Sequence, residues 1–231
     1  IKDSINLNNL SLKWDSKVLL ENVNLKIKSG TINIIVGPSG EGKTTLIDSV
    51  AGIIKPHKGS IKFDNNEISN FSEKSFKSNI SYVDQNATLF NESIIDNISW
   101  GQDKVSKNKI YEIAKQLDLH EKIKSLKNGY NTIAGDRGVN FSGGEVQRII
   151  IIRALIRNPK VLILDEAINQ LDSKSKKPII KMLAKLKGKI TIFIISHSED
   201  TINLADNIFE VSNHSIRKLR KNINWANYFK S

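Results

Sequence analysis

The sequence predicts an α/β protein built on a doubly wound, mainly parallel sheet. Short apolar runs rich in β-branched residues, Thr31 to Val36, Val161 to Leu164 and Ile190 to Ile195, have the length and composition of strands buried on both faces. Each is followed by a polar or glycine-containing turn and then by a segment with helical periodicity, the alternation that a parallel sheet with crossover helices requires. The turns after these runs carry the most chemically capable side chains of the chain. In such a sheet, ligands sit at the carboxyl ends of the strands.

Taken in order, residues 5 to 36 alternate polar and apolar in short runs around a turn at Lys28-Ser29-Gly30, predicting an antiparallel β portion that leads into the first buried strand. Leu46, Val50 and Ile53 recur at helical spacing and predict a helix over 46–54. Pro56 to Gly59 breaks the pattern. Ser60 to Asp64 reads as a strand closed by an Asn65-Asn66 turn, and Ile80 to Asp84 as another strand, ending at Gln85. From Asn86 to about Asn158 the periodicity becomes helical, with helices over 93–99, 106–117 and 120–126 and a long one beginning near Gly143. The parallel pattern then resumes with the 161–164 strand, a helix over 173–186, a strand over 189–195 and a helix over 198–205.

The expected organisation is one domain. Residues 1–85 and 159–212 form an α/β core with its antiparallel portion, 86–158 an inserted helical subdomain, and 213–231 a C-terminal tail. The tail carries Trp225, Tyr228 and Phe229 at i, i+3 and i+4, which predicts a helix packed against its own domain in preference to a membrane or nucleic-acid contact.

The most informative stretch is Gly37-Pro38-Ser39-Gly40-Glu41-Gly42-Lys43-Thr44-Thr45, a G-x-x-x-x-G-K-[ST] pattern lying between a predicted strand and a predicted helix. Its three glycines let the backbone turn N–H groups inward around an anion, and the helix adds its positive dipole end. Lys43 supplies a point charge for the outer phosphates, and the Thr44 hydroxyl can ligate magnesium. Asp165-Glu166 ends the second apolar strand. These residues suit either a helix N-cap or a magnesium carboxylate followed by a base for the attacking water, and the glycine loop favours the second.

His197 follows the third strand, where it can contact a γ-phosphate and hold the water in line with Glu166. His57, His120 and His214 lack such a context and are expected at the surface. Gln85, ending a further strand, could ligate the ion through its amide oxygen. Phe141 to Glu145 (FSGGE) opens the long helix, so Ser142, Gly143 and Gly144 predict a second anion cradle. That helix extends about 22 Å at 1.5 Å per residue. The second cradle is therefore expected to serve the phosphates of another copy, with ATP linking the two.

Composition narrows the partners only partly. The net charge of +11, from 35 basic and 24 acidic residues, suits a nucleotide, a nucleic acid or an anionic membrane surface. The absence of cysteine excludes a disulfide frame and thiolate metal sites and makes an intracellular setting the default. No run approaches the ~18 apolar residues of a membrane span, so the domain by itself is expected to be soluble. Because the chain begins with Ile1, we expect it to be part of a longer or processed protein.

Taken together, the glycine loop, Gln85, FSGGE, VLILDE and His197, in this order and spacing, resemble the nucleotide-binding domain of an ABC transporter ATPase, with its P-loop NTPase core. The resemblance covers residues 5 to 211. It implies that Lys43, Thr44 and Asp165 bind phosphates and magnesium, with Gln85 as the Q-loop residue. Glu166 is implied as general base and His197 as the switch histidine, while Ser142, Gly143, Gly144 and Glu145 act on the ATP of a second copy. Trp14 falls where the family places an adenine-stacking aromatic, although a core tryptophan on an edge strand is the alternative.

Leu89 to Gly101 and Thr132 to Gly138 resemble exporter segments, the second being the one that touches the coupling helices of the membrane part, with Asp136 where glutamate is usual. These matches imply an ATP-dependent homodimer on the cytoplasmic face of a membrane, by composition a bacterial inner membrane. The transmembrane domain is expected in the same polypeptide, and the cargo is a peptide, bacteriocin or drug. A soluble relative acting on nucleic acid or ribosomes is the alternative, and no sustained heptads support its chromosome-organising version. A degenerate, non-hydrolysing binder is disfavoured by the presence of Glu166 and His197. Phe141 and Glu145 depart from the usual leucine and glutamine of the signature, and Asn169-Gln170-Leu171-Asp172 replaces the usual Ser-Ala-Leu-Asp of the D-loop.

Overall fold

The computed structural model describes residues 2–102, 104–135, 138–139 and 141–229. Along the chain lie β1 (Ser4–Trp14), β2 (Lys17–Lys28), β3 (Ile32–Val36), α1 (Lys43–Val50), β4 (Lys58–Phe63), β5 (Asn66–Glu67), α2 (Glu73–Ser78) and β6 (Ile80–Val83). There follow α3 (Ile94–Ser99), α4 (Lys107–Gln116), α5 (His120–Lys124), α6 (Gly143–Ile156), β7 (Val161–Asp165), α7 (Ser173–Leu186) and β8 (Thr191–Ile195). The chain closes with α8 (Glu199–Leu204), β9 (Asn207–Ser212), β10 (Ser215–Leu219) and α9 (Trp225–Tyr228).

Two sheets face each other. One is antiparallel, in the order β2-β1-β4-β5; the other has the order β10-β9-β3-β8-β7-β6 and is parallel except for β10. The strands β3, β7 and β8 are buried at every residue, which is why they read as unbroken apolar runs rather than alternating ones. Period-2 alternation nonetheless sorts their side chains. Ile35, Ile163, Phe193 and Ile195 enter the core beneath the antiparallel sheet with Ile5, Leu7, Leu20 and Phe63, while Ile34, Leu164 and Ile194 enter the core beneath the helices.

The second core explains α6. Ile149, Ile150, Ile151 and Ile152 are all buried in succession, so this helix is enclosed on every side, between the sheet and α3 and α4, and shows no amphipathic stripe. In the first core, Phe76 of α2 meets Phe63 of β4 edge to face with centroids 5.0 Å apart.

The structure corrects several expectations. The first helix stops at Val50, because Gly52 turns to a left-handed φ of +70°; Ile53 lies beyond it and is 61% exposed. His120 is only 6% exposed, enclosed with Tyr111 and Tyr130, and its Nδ1 lies 3.0 Å from the Tyr130 hydroxyl. An unprotonated ring can be buried when an aromatic pair and a phenol satisfy it. Helix α2 was unmarked in the sequence, and the basic stretch after Asn213 is an edge strand, β10, before α9 packs Trp225 inward. The expectations placed on Ile1 and Asp136 fall outside the described residues.

Candidate functional site

Parallel register brings the loops together. Val83 pairs with Leu164, Asp165 with Ile195, and Ile35 also with Ile195, so β6, β7, β8 and β3 end at one edge of the sheet. The residues that follow them, Gln85, Glu166, His197 and the glycine loop, therefore share that edge.

The loop wraps the start of α1. Gly37 adopts φ +137°, and a Cβ there would lie 2.1 Å from the Val211 carbonyl oxygen of β9, so only glycine fits. Helix α1 begins at Gly42 with no side-chain cap and no acidic residue in its first turn, leaving its dipole uncompensated toward the loop. Lys43 folds back to donate to the carbonyl oxygens of Gly37 at 2.8 Å and Pro38 at 2.7 Å. Burial lowers its pKa, against the pull of Glu166, Asp165 and Glu41. The Glu41 carboxylate accepts the Asn213 N–H at 2.9 Å and so ties the loop to the β9–β10 turn rather than lining the cleft.

Ser39, Gly40, Gly42, Lys43, Thr44 and Thr45 line a cleft of about 360 Å³ together with Glu166 and Trp14. Trp14 is 60% exposed there, which removes the reading of a core tryptophan. Asp165, 8% exposed, accepts hydrogen bonds from Thr44 and from Tyr82 of β6, the latter at 3.1 Å. Burial raises its pKa and these two donors oppose the rise. Thr44 and Asp165 thus present hard oxygen atoms side by side, which fits magnesium. Among the described residues no group of three or more His, Cys, Asp and Glu could hold a metal ion, so Thr44 and Asp165 would supply only part of a magnesium shell.

Glu166 adopts a left-handed φ of +50° and borders a second, larger cleft of about 680 Å³ as well. That cleft is lined by Gln85, Ser142, Gly143, Gly144, Gln170 and Asp172 among others. Gln85 therefore stands apart from the loop cleft, in a turn held by Asp84, which accepts the Asn86 N–H at 2.6 Å. Ser142 and Glu145 form a reciprocal capping box at the start of α6, the Ser142 N–H donating to Glu145 Oε2 at 3.0 Å. Glu145 also pairs with Lys122; burial opposes its ionisation, but Lys122 and Ser142 hold its pKa below the usual range.

His197 is reached by neither cleft lining. Partial desolvation, then the positive charge of Lys43, lowers its pKa, with Glu166 opposing; Phe229 of the C-terminal segment meets its ring edge to face at 5.3 Å. Sequence reasoning missed Tyr82 and Asp48, which hydrogen-bond to one another beside Asp165. The available signal was register. Tyr82 pairs with Ile163, so Asp165 is its diagonal neighbour on the same face.

A family model described as ABC transporter matches residues 20–169. The chain belongs to the ABC transporter family. As an ABC domain it is similar over 94% of its length to ABC transporter B family member 18 of Arabidopsis thaliana, at 37% identity. It is also similar over 93% of its length to an ATP-dependent lipid A-core flippase of Desulfotalea psychrophila, again at 37%. A solved bacterial Atm1-family ABC exporter with ATP bound superposes with a TM-score of 0.89 over 99% of the chain at 29% identity. The ABC domain spans 18%, 38% and 42% of these three proteins, respectively. Its two sheets are those of the ABC ATPase fold, and among the described residues no helix is long and apolar enough to cross a membrane.

Proposed function

We propose that this ABC domain binds ATP with magnesium, hydrolyses it and drives an exporter, pairing with a second copy and acting on a transmembrane domain of the same full-length protein. The reading rests on the convergence of Lys43, Thr44, Asp165 and Glu166 at the carboxyl ends of β3 and β7. Similarity to exporters and a flippase supports the transport half.

In this reading the loop N–H groups and the amino end of α1 hold the phosphates, and Lys43 exchanges the Gly37 and Pro38 carbonyls for phosphate oxygens. Thr44 and Asp165 would hold the magnesium ion, and Gln85 would join them by moving in from the neighbouring cleft. The ion, when bound, neutralises charge developing on the phosphates. Glu166 takes the proton of the attacking water, and a neutral His197 holds the γ-phosphate side of the site. The exposed Trp14 ring stacks on adenine, worth about 1 to 3 kcal/mol. Ser142, Gly143, Gly144 and Glu145 of the second copy close over the nucleotide. Residues 86–158 act as a helical subdomain inserted into the 1–85 and 159–212 core, on the cytoplasmic side of a membrane.

Two variants separate binding from chemistry. Glu166→Gln is expected to retain ATP binding while turnover falls by roughly 10² to 10⁴; turnover at the native rate would remove Glu166 from the role of base. Lys43→Ala is expected to abolish ATP binding in a titration, and unchanged affinity would count against the loop.

A further inference from the structure

The Tyr82 hydroxyl lies between Asp165 and a neighbouring carboxyl group. It donates to Asp165 Oδ2 at 3.1 Å, and Asp48, one turn beyond Lys43 and Thr44 on α1, hydrogen-bonds to the same phenol. Three elements meet at this point: β6 brings Tyr82, β7 brings Asp165, and α1 brings Asp48 together with Thr44. Tyr82 and Asp48 are each half-buried, so neither is a freely rotating surface group.

A carboxylate ligand can rotate about its side-chain torsions unless a neighbour fixes it. Ligands to a metal are ordinarily oriented by a second layer of hydrogen bonds, and loss of such a bond typically costs about 10- to 100-fold in metal affinity. Of the two donors to Asp165, Thr44 is itself the proposed ligand, whereas Tyr82 reaches the carboxylate from the neighbouring strand and can hold it from outside the ion's own ligands. A phenol has a single proton. With that proton donated to Asp165, Asp48 can bond the phenol oxygen only by donating a proton of its own, a form that burial of its carboxyl favours, and in doing so it holds the hydroxyl between the strand and the helix.

We propose that Tyr82, buttressed by Asp48, is a positioning residue that orients Asp165 for magnesium. This rests on the reading of Asp165 as the magnesium carboxylate. It assigns part of the metal dependence of this domain to two residues outside the glycine loop and the VLILDE strand.

The test measures binding of a fluorescent ATP analogue by the protein carrying Glu166→Gln, which suppresses turnover, across a magnesium titration and again in EDTA. With Tyr82→Phe, the magnesium concentration giving half-maximal enhancement of binding is expected to rise about tenfold, while affinity in EDTA is unchanged. Asp48→Ala is expected to shift the midpoint in the same direction by a smaller factor. An unchanged midpoint in Tyr82→Phe overturns the proposal, and so does an equal loss of affinity in EDTA, which would mean that the phenol merely supports the nucleotide cleft. An unchanged midpoint in Asp48→Ala removes Asp48 from it. Asp165→Asn distinguishes the two levels: if it leaves the midpoint where it was, the assignment of the metal carboxylate has failed, rather than that of its positioner.

Discussion

His197 feels the negative charge of Glu166, opposed by partial loss of hydration, the larger effect, and by the positive charge of Lys43. The last two depress its pKa, so the ring is neutral at pH 7 and gains its proton only below the ordinary value of about 6.5. An NMR titration of the imidazole should find a midpoint below that value; Lys43→Ala should move it up and Glu166→Gln should move it down. The opposite signs would mean that the charges act elsewhere. At this scale the sequence was informative about chemistry and poor about surroundings. Lys43, Thr44, Asp165 and Glu166 were legible because each follows a buried strand or glycine loop. His120 was not, because its burial depends on Tyr111 and Tyr130 arriving from other elements. Tyr82 was hidden because its partners lie on α1 and β7.

Among the elements, α6 and α7 meet tightly where the second cradle begins. A Cβ at Gly144 would lie 2.3 Å from Ser175 Oγ and 2.6 Å from Ser175 Cβ, in a place where Ser175 is itself buried in the first turn of α7. Gly144→Ala should therefore destabilise the chain by about 1 to 3 kcal/mol, the usual range for overpacking, as read from urea unfolding. Ser175→Gly beside it should restore part of the loss, and a neutral Gly144→Ala would show that the helices separate freely. Strand and helix existence was legible wherever periodicity ran for several residues. The boundaries were lost where backbone conformation decided them, as at Gly52, whose left-handed φ ends α1 before Ile53. Strand β10 escaped notice because Arg217 and Lys218 resemble a basic tail; as an outermost strand it pairs on one side only, with β9, and can carry charge toward water.

Across the whole molecule, the loop cleft and the cleft of the second cradle are separate on one chain and have Glu166 in common. In the proposed function a nucleotide in the first meets the second cradle of another copy. Light scattering of the protein carrying Glu166→Gln should accordingly show ATP with magnesium converting monomer to dimer, while the same variant with Lys43→Ala should stay monomeric. A dimer formed equally without nucleotide would mean that ATP is not the link. The parallel sheet and the order of its motifs made the fold of the chain readable in advance. What the sequence did not carry was the D-loop's attachment: Asn169 accepts the Ser196 hydroxyl at 2.8 Å, next to His197, a contact that exists only once β7 and β8 lie side by side.

The backbone of Glu166 carries one more consequence. A side chain with a Cβ held at φ +50° is strained by of order 1 kcal/mol or more, a cost that glycine would not incur. Under the proposed role of Glu166 as base, Glu166→Gly would relieve that strain and remove the group that takes the water's proton. At this residue the proposed chemistry and the ease of the backbone pull in opposite directions.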